Sequence, residues 1–133
     1  MPTIKSLSLP VVALGLAFAA TPASAWHGHV THVQGRFGRG YTHDSFVSRA
    51  PGSVSVHRGT QTNAGYGIST DRNANWANGT YNGSVTHRLN NGDSFGRTSS
   101  LTRNADGTAS YSISRTDRDG QSRTRSGTID RHD

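Results

Sequence analysis

Between positions 84 and 129 the chain is cut three times by short clusters rich in Asn, Asp and Gly: Asn90-Asn91-Gly92-Asp93, Asn104-Ala105-Asp106-Gly107 and Asp117-Arg118-Asp119-Gly120. Glycine reaches positive φ without steric cost, and Asn and Asp side chains fold back on their own backbone, so each cluster is a turn signal with a mechanism. The runs between them, 84–89, 94–102, 108–116 and 121–129, have the length of strands and no Pro. This pattern predicts consecutive hairpins in an antiparallel meander.

Successive side chains of a strand point to opposite faces, so these runs sort by parity. The odd positions collect Val85, His87, Leu89, Phe95, Arg97, Leu101, Tyr111, Ile113, Arg115, Arg123, Arg125 and Ile129. The even positions are almost all Ser and Thr, with Arg88 and Gly96 as the exceptions. The odd face is expected to pack on something, and the hydroxyl face to meet water or a flat polar partner.

Upstream, Val54 and Val56, then Tyr66 and Ile68, alternate in the same way, which predicts two to four further short strands and six to eight in all. Trp76, Tyr66 and Tyr81 are the expected aromatic cover of the odd face. Residues 26–52 mix His, Gly and scattered aromatics without a clean period, and read as a flexible, irregular segment ending near Ala50-Pro51-Gly52. The fold class is therefore all-β: an antiparallel meander of short strands with Asn/Asp/Gly turns, a thin core and an irregular N-terminal segment, the β domain covering 53–133.

Residues 1–25 have the layout of a secretory leader: Lys5, an apolar stretch from Pro10 to Ala20, and Ala23-Ser24-Ala25 as a small-residue cleavage site. That stretch is shorter than the roughly 20 apolar residues a spanning helix needs, so no transmembrane segment is expected after cleavage following Ala25. A chain starting at Trp26 has 108 residues, enough for one small domain. It has no Cys, so no disulfide framework supports it. An Ala-rich leader suggests a bacterial protein, periplasmic or secreted.

After position 25 there is no Lys, Glu or Met, and strong helix formers are scarce. Val, Ile, Leu and Phe supply only fourteen residues after the leader, few enough that disorder competes with folding. The core must be thin, and stability must lean on backbone pairing or on a partner.

Arginine carries the charge, with thirteen Arg against eight Asp. Guanidinium groups pair bidentately with phosphate and carboxylate, which makes Arg97, Arg115, Arg123 and Arg125, all on the odd face, a candidate anion-binding set. The plainer role of such residues is to keep a sheet soluble and its edges unpaired. His27, His29 and His32 form the second cluster: imidazoles near a freed amine suit Cu(II), Ni(II) or Zn(II), although no Cys or carboxylate stands at a diagnostic offset. The Asp-rich turns match no calcium-loop spacing.

Catalysis is not expected, since the nucleophile and acid–base inventory reduces to Asp, His, Ser, Thr and Tyr and no Gly-x-Ser-x-Gly elbow occurs. No cofactor is expected. The residues point to an exported, non-catalytic envelope or extracellular interaction protein that self-associates or binds an anionic polysaccharide or envelope surface. The alternative is a small periplasmic metal-binding protein using the three N-terminal histidines. Nucleic acid fits an exported chain poorly.

Overall fold

The computed structural model describes residues 24–130. The leader expected over 1–25 lies outside them except for its last two residues. The described chain forms eight strands: β1 (Ala25–Gln34), β2 (Gly40–Ala50), β3 (Ser53–Thr62), β4 (Gly67–Ala77), β5 (Thr80–Leu89), β6 (Ser94–Arg103), β7 (Ala109–Thr116) and β8 (Ser122–Ile129). They pair in sequence order, every neighbour antiparallel, as one meander sheet.

Turn chemistry sets the hairpins. Gly92, Gly107 and Gly120 hold φ of 95°, 86° and 77°, in the three turns expected from their clusters. Asn78 and Gly79 connect β4 to β5 with φ of 49° and 75°, the two-residue Asn-Gly turn whose twist suits a hairpin. The Asp residues of the turns cap backbone: the Asp106 carboxylate accepts from the Thr108 N–H and hydroxyl at 3.0 and 2.7 Å, and that of Asp117 accepts from the Asp119 and Gln121 N–H groups.

Residues 26–52 depart from the irregular segment read from their composition. They carry β1 and β2, paired from Ala25 opposite Arg49 to Gln34 opposite Gly40, with a short 3-10 turn at Arg36–Gly38 between them. The Pro51-Gly52 boundary is the β2–β3 turn of the same sheet. No apolar period marks β1 because both its faces meet solvent, so pairing selects the strand without an apolar stripe.

The core also departs from expectation. Among the described residues no apolar side chain is buried, and the one buried polar side chain is Ser45. Trp76 and Tyr81 face each other across β4 and β5 but stay 48% and 40% exposed, and Tyr66, in the β3–β4 turn, is 78% exposed. A single layer has nothing to press its rings against. Shielding comes from cross-strand neighbours instead: Phe46 lies over Gly28 and stacks on Trp26 at 5.9 Å, and Tyr111 lies over Gly127 on the adjacent strand. Among the described residues no helix is long and apolar enough to cross a membrane.

Candidate anion-binding face

The register turns parity into rows. Arg72 stands opposite Val85, Val85 opposite Arg97, Arg97 opposite Arg115, and Arg115 opposite Arg123, so one line across β4–β8 carries four guanidinium groups on one face. Arg125 lies on the same face two residues along β8, opposite Ile113. The four arginines singled out from the sequence are thus brought together, and Arg72 joins them. Its parity is even, but the turn between β4 and β5 shifts the count so that even positions of β4 share a face with odd positions of β5.

Following the register through all eight strands puts Arg49, Arg58, Arg72, Arg97, Arg103, Arg115, Arg123 and Arg125 on this face. The same face has no strand-borne carboxylate, because Asp44 and Asp71 fall on the other side with Arg88. The one arginine–carboxylate ion pair among the described residues is Arg88 with Asp71, at 2.9 Å. Like charges directly opposite in a sheet are destabilising by roughly 0.2–1 kcal/mol per pair. The Arg97–Arg115–Arg123 line holds two such pairs.

Arg72, Arg97 and Arg115 border an open depression of about 380 Å³ together with Val85, His87 and Phe95. Its end is fixed by stacking: His87 lies on Phe95 at 4.8 Å, and the Arg118 guanidinium sits 5.1 Å from the Phe95 ring centre. A larger depression of about 690 Å³, lined by Tyr66, Ile68, Leu89 and the Asn90-Asn91 turn, has no charged residue in its wall.

The opposite face pairs its charges. His57 Nδ1 lies 2.6 Å from Asp71 Oδ1, its Nε2 lies 3.3 Å from Asp44 Oδ2, and Arg88 donates to Asp71 Oδ2. Both imidazole nitrogens can donate to these carboxylates only in the imidazolium form. This chain across β2–β5 escaped the sequence reading, because its members lie 13 to 17 positions apart and meet only through the hairpin registers.

The three N-terminal histidines are divided. His27 and His29 share the arginine face, whereas His32 is on the other and pairs with Thr42 Oγ1 at 3.0 Å. The His29 ring lies 6.1 Å from that of His43 between centres. Other imidazoles are taken up by a threonine directly across the strand: His43 with Thr60 at 2.8 Å and His87 with Thr70 at 2.9 Å. Among the described residues no three His or Asp side chains converge as a metal-ion site would need.

No family model matches the chain, and neither the curated proteins nor the solved structures include a significant match to it.

Proposed function

We propose that this is an exported, non-catalytic interaction protein of the cell envelope or extracellular space that holds an anionic partner on its arginine face. The observation that carries this reading is the Arg97–Arg115–Arg123 line: three cations in direct opposition, without a carboxylate partner among the described residues. Edge protection accounts for arginine on β8, but not for Arg97 and Arg115, which sit on interior strands. Such a row costs stability in the free protein and is relieved by an anion. The export part rests on the leader pattern of residues 1–25, and the non-catalytic part on the side-chain inventory.

The same charge distribution steers self-association to the edges. Two arginine faces repel each other, whereas β1 is a ten-residue edge without Pro or formal charge, open to strand addition.

Heparin titrated against the purified protein tests the reading. Log affinity should fall linearly with log salt concentration, the signature of displaced counterions. The triple change Arg97→Gln, Arg115→Gln, Arg123→Gln should weaken binding about a hundredfold or more, given roughly 1.5–3 kcal/mol for each charge-assisted contact. Affinity indifferent to salt and to the triple change would remove the proposal.

A further inference from the structure

Resting on that reading, we infer that the anionic partner is a linear acidic polysaccharide, with one carboxylate per sugar, lying across β4–β6 in a trough between the arginine row and an aromatic row. The floor of the trough is Ala74 opposite Gly83, small residues that leave room for the Tyr81 ring to settle over Gly83. One wall is Arg72 and Arg97. The other is Trp76 and Tyr81, directly opposite each other on the same face and half exposed. Arg72, Ala74, Tyr81, Gly83 and Arg97 border one continuous depression of about 280 Å³.

Each wall stands two residues from the floor, so the walls lie about 13 Å apart along the strands. That is wide enough for one sugar chain and the side chains that flank it. Across the strands the trough advances about 4.8 Å per strand, and Arg72 and Arg97, with Val85 between them, stand two strands or about 10 Å apart. The rigid ring of a uronic acid gives a charged repeat of roughly half that length, so alternate carboxylates meet the two guanidinium groups, whereas an extended nucleotide has more backbone bonds between its charges. Tyr81 folds over Gly83, where an added Cβ would come within 2.5 Å of its hydroxyl, so its ring lies along the floor and offers a face to a sugar. Guanidinium forks match planar carboxylates bidentately, and ring faces match the C–H faces of sugars. The two walls thus divide the recognition of an acidic sugar between them.

The test compares polygalacturonate, its fully methyl-esterified form, polyphosphate, single-stranded DNA and anionic lipid vesicles as probes of the full-length protein at one salt concentration. Polygalacturonate should bind at least about tenfold more tightly than polyphosphate or DNA, and esterification should abolish binding. Arg72→Gln with Arg97→Gln should weaken polygalacturonate binding about tenfold or more. Trp76→Ala with Tyr81→Ala should weaken it several-fold while leaving polyphosphate binding unchanged, and Tyr81→Phe should retain it. Circular dichroism of each variant checks that the sheet persists, and the Tyr81→Phe comparison does not depend on the double alanine variant folding. Polyphosphate, DNA or vesicles binding as tightly as polygalacturonate, with the aromatic changes without effect, would overturn the polysaccharide assignment and leave the anion-binding face standing. Absence of binding to every anionic probe would overturn both.

Discussion

The two faces of this sheet share one backbone and one set of registers, yet they treat charge in opposite ways. On one, Asp44, His57, Asp71 and Arg88 form a chain in which each ionisable group has a partner. On the other, eight arginines stand without a carboxylate among the described residues, three of them in a direct line. A face that closes its own electrostatics contributes to the fold. A face that leaves like charges in register is less stable for it, which is the physical basis of the anionic partner proposed above.

The contrast can be broken most sharply at Arg115, which opposes an arginine on both sides. Arg115→Glu turns two repulsive pairs into attractive ones and should raise unfolding stability by about 1 kcal/mol. It should also lower heparin affinity more than tenfold. Urea melts and titrations on the same sample read both, and a loss of stability would mean that the row is not strained. A smaller effect of opposite sign is expected across the sheet. Asp71→Asn weakens the contacts to His57 and Arg88 and should cost about 1 kcal/mol or less, since both partners are solvent-accessible, while heparin affinity should hold or rise slightly. A marked loss of affinity there would show that the faces are coupled.

The smallest expected effect lies at the turns and belongs to neither face. Hydrogen bonds from the Thr108 hydroxyl and N–H hold the Asp106 carboxyl below its ordinary value of 3.8. A carboxylate with a depressed folded pKa adds stability above the unfolded pKa and loses it as pH falls through the folded one. Acid melts below about pH 4 should therefore be slightly shallower in Asp106→Asn than in the parent. Identical acid limbs would show that the turn contributes nothing through this group.

Legibility in the sequence followed the physics of each segment. The hairpins after position 84 were readable because each carries a glycine that must reach positive φ, and because hydroxyls alternate with larger residues between them. Asn78-Gly79 carries an equally strong turn signal, but the aromatic stretch around Trp76 draws the reading to its rings and leaves the turn unread. β1 and β2 were hidden: Gly28, Gly35 and four histidines blur any period, and a strand wet on both faces needs none. Trp76, Tyr66 and Tyr81 have the size of core residues, and large rings are usually covered, but a single layer offers no second surface.

From position 84 onward the sequence by itself determined the alternation, the turn positions and hence the strands, since these depend on local backbone preference and a period of two. Only the three-dimensional pairing decided which arginine stands beside which, and that His32 parts from His27 and His29. The reason is that register multiplies across hairpins: a slip of one residue at any turn would carry every later side chain to the opposite face.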